Sequence, residues 1–453
     1  MAGPSRIRTG FHDDRGPIIA HHPTKRGGGK SHGSRAGVGE RARLRFGVVT
    51  IAVVGIGADG WPGLPREGRS EVEACEVLLG GRRQLGLVPD GGYRKVAWPS
   101  PLLPSLDGVL AEHAGRRICV LASGDPLLSG IGTTLVRRLG AHRVRIVPGV
   151  SSVALARARL CWPAEEVQVI SAVGRSPHRV LRVAGDGRRA LVLSSDGSTP
   201  TTVAALLTEH GFGASRLTVL EELGGPGERR LEGRALDWPH PTCAALNVLA
   251  VEFTGPRGLP ALPGLPDSVF EHDGQLTKRD VRASVLARLA PLPGELLWDV
   301  GAGAGSVAVE WARAHPANTA IAVESRPGRA ARIARNAERL GARVDVVTGS
   351  APEALAGLPA PDAVFVGGGV TAPGVLPACW DALGEGGRLV ANGVTVQAEQ
   401  ELARAHAEFG GELTRLAIEH AAPLGGFTGW TPARTVTQWS VVKETGQTRE
   451  VHA

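Results

Sequence analysis

The chain has a single tyrosine and a single methionine, its aromatic residues total only 4%, and lysine is nearly displaced by arginine, 5 against 46. So small an aromatic supply argues against a surface of stacking platforms for single-stranded nucleic acid. Cysteine is scarce as well: Cys75, Cys119, Cys161, Cys243 and Cys379 lie no closer than 42 residues apart. An odd number at that spacing argues against a disulfide framework or a thiolate metal site, and fits reduced thiols in the cytoplasm. Long apolar runs are also missing. The longest, Phe46 to Ile56, is broken by Gly47 and Thr50 and falls short of the ~20 residues that span a bilayer. Basic residues before it give it the outline of a signal peptide, yet no small-residue cleavage site follows and it runs straight into a glycine loop. No membrane partner is expected.

What the chain does have is length. Its 453 residues are about three times an average domain of ~150 residues, so two or three domains are expected. Hydrophobic residues at 42% and charged residues at 21% are enough to build several cores. The net charge of +7 sits entirely at the front, where residues 1–47 hold ten Lys/Arg against Asp13, Asp14 and Glu40. The other 406 residues balance 41 bases with 41 acids, so the folded body has no bias toward a polyanion and no nucleic-acid partner is expected. Gly, Ser, His and Arg in the front segment cannot form a core. It reads either as a disordered basic arm or as a misplaced start, because the arginine skew suggests GC-rich coding, in which translation can begin at Val48 or Val49.

Between Gly255 and Pro266 the sequence GPRGLPALPGLP has four prolines and no period, the mark of a linker. On both sides short Val/Ile/Leu runs alternate with Ala/Arg/Leu-rich helical stretches, the pattern of parallel sheets covered by helices. The expected division is a front segment over 1–47, an α/β domain over 48–254, a linker over 255–269, a second α/β domain over 270–445 and a tail over 446–453.

In the second half Leu296–Val300 reads as a buried strand, followed by Gly301, Ala302, Gly303, Ala304, Gly305 and then a helix over Val307–Ala314. Glycines there let the backbone turn sharply and let a ligand approach the helix N-terminus. The next strand, Ala320–Val323, ends at Glu324, placed to accept hydrogen bonds from both ribose hydroxyls of a nucleoside. A dinucleotide site prefers G-x-G-x-x-G. The spacing G-x-G-x-G, with Asp299 two residues ahead, is the form of S-adenosylmethionine (SAM) sites in doubly wound methyltransferases. Ser350 and Ala351, after the strand Val344–Val347, fall where adenine is contacted. The exit loop Gly367–Gly369 lacks the Asn/Asp-Pro-Pro-aromatic tetrad of amino-group methylases, and Cys379 lacks the Pro-Cys adjacency of cytosine methylases, which leaves Cys379 to the core.

These segments, LTKRDVR (276–282), WDVGAGAGSVAVEWAR (298–313), VESRPGRAARIARNAERLG (323–341), PDAVFVGGG (361–369) and GGRLVANGVTVQAEQ (386–400), together resemble the C-terminal methyltransferase of corrin biosynthesis. The resemblance implies methylation at C15 of the macrocycle and loss of the carboxyl of its ring C acetate. In the first half the strand Val49–Val54 running into Gly55-Ile-Gly57, Ser123-Gly124-Asp125-Pro126 after the strand Ile118–Ala122, and Pro148-Gly149-Val150-Ser151-Ser152 after Val144–Val147 resemble a tetrapyrrole methylase of the C5-acting kind. In that unrelated fold SAM lies between two α/β lobes. The fold class implied is a two-lobed tetrapyrrole methylase followed by a doubly wound, Rossmann-like domain, each half with its own SAM. The family often has His where this chain has Val173, which puts in question any proton transfer assigned there.

The cofactor residues implied are Ser123, Gly124, Asp125, Ser151 and Ser152 in the first half, and Thr277, Gly301 to Gly305, Glu324, Ser350 and Ala351 in the second. Asp125 and the two serines also read as helix caps, a role compatible with the first. A substrate rich in carboxylates needs local cations. Lys278, with Arg279 and Arg282, stands at a helix start beside Thr277, and could equally be a solvated helix face. Asn392 and Thr395, beyond the strand Arg388–Ala391, lie at the carboxyl end of the sheet and are candidate substrate contacts. Trp430 and Trp439 read as core. No residue is assigned as a catalytic acid, base or nucleophile and no metal is expected, because methyl transfer from a sulfonium asks the protein mainly for positioning and desolvation. The resemblance also implies a homo-oligomer. Three alternatives stay open: the same fusion acting on a cobalt-loaded tetrapyrrole, an RNA methyltransferase gripping phosphates with its basic arm, and a SAM-binding sensor without turnover.

Overall fold

A computed structural model describes residues 51–444. The expected front segment 1–47, the first two residues of the strand proposed at Val49–Val54, and the tail 446–453 lie outside the described residues.

The first half contains two unlike sheets. Strands β1 (Ile51–Ile56), β2 (Val77–Gly80), β3 (Arg94–Ala97), β4 (Ile118–Ser123) and β5 (Val144–Val147) form a parallel sheet in the order β3-β2-β4-β1-β5. Strand β1 is buried along its whole length, as an apolar run covered on both faces must be. The second sheet takes β6 (Val167–Ser171), β7 (Arg189–Leu193), β8 (Arg216–Glu221), β9 (Arg229–Arg234) and β10 (Asn247–Glu252) in the order β6-β7-β10-β8-β9. Only β6 and β7 pair in parallel there.

The second half is built on seven strands: β11 (Leu296–Val300), β12 (Thr319–Glu324), β13 (Val344–Thr348), β14 (Ala363–Val366), β15 (Arg388–Gly393), β16 (Glu412–Leu416) and, after a separate hairpin of β17 (Glu419–Leu424) and β18 (Phe427–Pro432), β19 (Val436–Val442). Their order is β13-β12-β11-β14-β15-β19-β16, with β19 antiparallel to both neighbours. The chain leaves β11 toward β12 and returns on its other side at β14, and this reversal opens a crevice at the carboxyl ends of the strands. The helix after β11, Ser306–Ala314, is buried almost throughout, with Trp311 inaccessible. On the opposite face Trp298, Cys379, Trp380, Phe409 and Trp439 pack into one core. Cys379 and Trp439 are therefore core residues as expected. Trp430 is not: it lies in the hairpin, 73% exposed, because the residues facing outward on a two-stranded ribbon have no sheet to cover them.

The far end of the proline-rich segment is fastened to the second half. The backbone N–H groups of Gly264 and Leu265 donate to the Glu310 carboxylate at 2.7 and 3.0 Å. Arg282, fully buried, donates to the same carboxylate at 2.5 Å and to Asp267 at 3.1 Å. Its remaining N–H groups reach the carbonyls of Leu265 and Thr277. Arg282 is thus neither a solvated helix face nor a substrate contact. A guanidinium taken out of water requires this many acceptors.

Candidate functional site

Glycines bring the loops together at both reversal points. A Cβ on Gly301, whose φ is +67°, would come within 2.5 Å of the Gly368 carbonyl oxygen, so the loops after β11 and β14 touch through backbone. In the first half a Cβ on Gly55 would meet the Gly124 oxygen at 1.9 Å and the Gly149 nitrogen at 2.4 Å. Three separate motifs, after β1, β4 and β5, converge there.

The crevice in the second half is a cavity of about 1240 Å³ lined by Thr277, Lys278, Gly301, Ala302, Gly303, Glu324, Ser350, Ala351 and Asn392 among others. Nine of the twelve residues expected in this half therefore share one space. Glu324, nearly buried, closes β12, and its carboxylate accepts from the backbone N–H of Gly303 at 2.9 Å and of Arg326 at 3.0 Å. An acid fixed in this way is already oriented, so a diol reaching it meets a set acceptor. Ala304 and Gly305 stand behind the loop. The Ala304 carbonyl accepts from Asn336, and Gly305 in the left-handed conformation abuts Ile333. Beneath the loop the wholly buried Asp299 accepts from the Ala308 N–H at 3.0 Å, while its other oxygen has no partner. Burial first, and then the nearby Glu324 charge, push its carboxyl up to about 7.

Asn392 is held by a chain of side-chain amides. Its Oδ1 accepts from Gln438 at 3.0 Å, and Gln438 accepts from the Ser284 hydroxyl at 2.9 Å. The Asn392 amide N–H₂ is left as the donor for the cavity. Thr395 caps the helix Val396–Phe409, accepting from the Ala398 N–H at 3.2 Å, and does not line the space. Lys278 stands 3.9 Å from Asp267 at the cavity edge. Arg326, His420, Arg434 and Val394 also line it. Arg326 and Val394 follow Glu324 and Asn392 by two residues within the quoted segments, whereas no local motif marks His420 and Arg434, which arrive through the strand order.

The cleft between the two sheets of the first half is smaller, about 80 Å³, and is lined by Gly57, Ser123, Gly124 and Ser152 together with Arg83 and residues of the second sheet. The Ser123 hydroxyl accepts from Arg83 at 3.0 Å and from Gln84 at 2.8 Å. Burial lowers the Arg83 pKa, with the Glu222 charge opposing. Asp125 and Ser151 lie next to the cleft: Ser151 caps the helix Ser152–Leu160 as expected by accepting from the Ala154 N–H, whereas Asp125 caps no helix, since the next one begins at Ile131 behind Gly130, and instead accepts from the Leu127 N–H at 2.8 Å within a turn. Val173 is exposed. Among the described residues no group of His, Cys, Asp and Glu is arranged to hold a metal ion, and no helix is long and apolar enough to cross a membrane.

Fold and site define a chain of two unlike methyltransferase units. The model of tetrapyrrole (corrin/porphyrin) methylases matches residues 50–237, and that of the precorrin methyltransferase domain matches residues 268–443. The chain belongs to the precorrin-6Y C(5,15)-methyltransferase (decarboxylating) family. It is 48% identical to the Mycobacterium tuberculosis protein of that name over 87% of this chain and 100% of the relative, and 47% identical to the one from a Sinorhizobium species over 87% and 96%. The C-terminal domain of the Rhodobacter capsulatus enzyme, solved by crystallography, is 46% identical, covering 41% of this chain and 100% of that one with a TM-score of 0.39.

Proposed function

We propose that this enzyme transfers methyl groups from SAM to C5 and C15 of precorrin-6B and removes the carboxyl of the ring C acetate, giving precorrin-8 in cobalamin biosynthesis. One SAM serves each half, the first for C5 and the second for C15 with decarboxylation. The observation that carries this reading is the presence of two glycine-lined reversal points on unrelated sheets of one chain. The relatives that match along most of both chains are named for precorrin-6Y, without cobalt, which favours the metal-free substrate over a cobalt-loaded one. The balanced charge of the body gives no support to an RNA substrate.

SAM, when bound, supplies an electrophilic methyl group, and the ring carbon of the substrate supplies the electron pair. The chain's own residues position both. In the second half Glu324 takes the ribose hydroxyls, Gly301 to Gly303 admit the nucleoside to the backbone, Ser350 and Ala351 border the adenine, and Thr277 closes the near side. A volume of about 1240 Å³ exceeds the ~300–1,000 Å³ usual for one small ligand, leaving room for a macrocycle beside the cofactor. Asn392 and Lys278 meet its polar edge. Val300, Val323 and Val375, buried at the middle of the lining, give the reacting face an apolar floor, where an acetate left without hydrogen bonds from solvent loses CO₂ more readily. In the first half, Ser123, Gly124 and Ser152 face the cofactor. Its cleft of about 80 Å³ is below that ligand range, so Arg83 and Gln84 must swing off Ser123 for SAM to enter.

We place the enzyme in the cytoplasm and expect it to self-associate through the hairpin β17–β18, where Leu424, Phe427 and Trp430 are 68%, 84% and 73% exposed. Incubation of the purified chain with SAM and precorrin-6B tests the function: mass spectrometry should find two added methyl groups and one lost CO₂. Calorimetric titration should count two SAM per chain. One site, or none, refutes the two-cofactor reading, and an unaltered tetrapyrrole refutes the substrate.

A further inference from the structure

The cavity of the second half has two ends. Glu324 closes β12, and at the other end the backbone N–H of Ala433 donates to the Ile418 carbonyl at 2.8 Å, fastening the base of the hairpin β17–β18. Residues two apart in extended chain share a face. Ile418 and His420 on one arm, and Arg434 and Val436 on the other, accordingly appear together on the cavity lining. Strand order sets the distance between the ends. Strands β12 and β19 are separated by β11, β14 and β15, four spacings of ~4.8 Å or about 19 Å along the sheet.

The cations on this lining are not equivalent. Arg329 is paired with Asp273 at 2.8 Å and Lys278 faces Asp267 at 3.9 Å. Arg326 is two residues beyond Glu324, to which its backbone N–H donates at 3.0 Å, and so belongs to the nucleoside end. Arg279 lies along the proline-rich segment, its Nε 3.8 Å from where a Gly264 Cβ would stand. Arg434 is different: it is exposed, it borders the end remote from Glu324, and no carboxylate pairs with it among the described residues. Glu419, which pairs with Pro432 across the hairpin, alternates to the other face from Ile418 and His420, and Glu399 is already held by Arg415 at 3.1 Å and by Thr437 at 2.9 Å. His420 stands on the adjoining arm, likewise without an acidic partner.

We propose that Arg434, assisted by His420, is a positioning residue that binds a peripheral carboxylate of the macrocycle at the end of the cavity remote from Glu324. This rests on the reading of the cavity as a tetrapyrrole site. The guanidinium fork matches a carboxylate in two parallel hydrogen bonds, and the hairpin base gives it a rigid mount. Holding one edge of the ring there fixes which bridge carbon faces the middle of the sheet, above β11 and β14, where the glycine loops meet. The carboxylate held by Arg434 is not the one lost, since a cation at the departing carboxylate would stabilise the reactant.

The test measures KM and kcat for precorrin-6B, together with SAM affinity by calorimetry, for the full chain and for Arg434→Gln, Arg434→Lys and His420→Gln. A charge-assisted hydrogen bond is worth ~1.5–3 kcal/mol, so Arg434→Gln should raise KM about ten- to a hundredfold with SAM affinity unchanged. Arg434→Lys should recover part of the loss, and His420→Gln should show a smaller rise. Precorrin-6B with its carboxylates esterified should bind the unaltered chain and Arg434→Gln alike. Unchanged KM in Arg434→Gln, or a loss confined to SAM affinity, overturns the assignment. If the unaltered chain binds SAM but never consumes precorrin-6B, the failure lies in the substrate reading beneath it.

Discussion

If each half holds its own SAM behind a glycine contact, adding one carbon atom at either contact should silence one site and spare the other. In Gly55→Ala the new methyl would lie 1.9 Å from the Gly124 oxygen and 2.4 Å from the Gly149 nitrogen, whereas real Cβ atoms essentially never approach within 3.0 Å. The obstacles are backbone, so the loops themselves must part by about 1 Å, a misplacement that costs ~100-fold in a positioned site. In Gly301→Ala the methyl meets the Gly368 oxygen at 2.5 Å at a residue whose φ is +67°. It therefore adds the ~1–2 kcal/mol of left-handed backbone to the steric term. Overpacking of this kind typically destabilises by ~1–3 kcal/mol, less than the ~5–15 kcal/mol that holds a domain folded, so both variants should remain native by circular dichroism. Calorimetry should then count one tight SAM site in each instead of two. With precorrin-6B, Gly55→Ala should lack C5 transfer, and Gly301→Ala should lack C15 transfer and CO₂ loss. Two intact sites in either variant would refute the idea that these contacts shape the cofactor pockets, and loss of both sites in one variant would refute their independence.

Breaking the buried pair in Arg282→Met should destabilise the chain by ~3–5 kcal/mol, because Glu310 is left charged without its guanidinium; a denaturant midpoint near that of the unaltered protein would contradict this. Asp299 carries a carboxyl raised to about 7, so the folded state holds its proton while the unfolded chain releases it near ~4. The stabilisation is complete below pH ~4 and is lost as pH rises to 7. The stability of the unaltered chain relative to Asp299→Asn should therefore fall across pH 4 to 7, and a flat difference would show that the carboxyl is ionised throughout. Replacing Phe427 and Trp430 by Ser should shift sedimentation toward the monomer without lowering the melting temperature, since both residues are largely exposed in the single chain; an unchanged sedimentation profile would exclude the hairpin as the contact.

The parts of the fold written in local chemistry were legible. Apolar runs such as Ile118–Ala122 and Leu296–Val300 became strands with the expected centres, and Gly301 to Gly303 with Glu324 fell on one crevice because strand, turn and acid follow in sequence within a single βαβ unit. Trp430 proved exposed rather than core because its hairpin, β17–β18, forms a separate two-stranded ribbon outside the seven-stranded sheet, a placement that local sequence does not state. Arg282 could not be read from sequence because its acceptors, Glu310, Asp267 and the Leu265 carbonyl, are 15 to 28 residues away. Arg434 and His420 reach the cavity through the antiparallel insertion of β19 beside β15, a pairing that no local pattern announces.

The carboxylate of Glu310 has a practical meaning for anyone dividing this polypeptide. The matched methyltransferase region begins at residue 268, yet a fragment cut there would leave behind Gly264 and Leu265, depriving Glu310 of two amide donors and Arg282 of a carbonyl acceptor. Leu259, still further upstream, packs on the same half against Leu265 and Phe270. A cut upstream of Gly264 keeps those donors with their carboxylate but still parts Arg182 from the Arg313 carbonyl it donates to at 2.8 Å, whereas one placed a single helical turn too late would yield a fragment with ions stranded in oil.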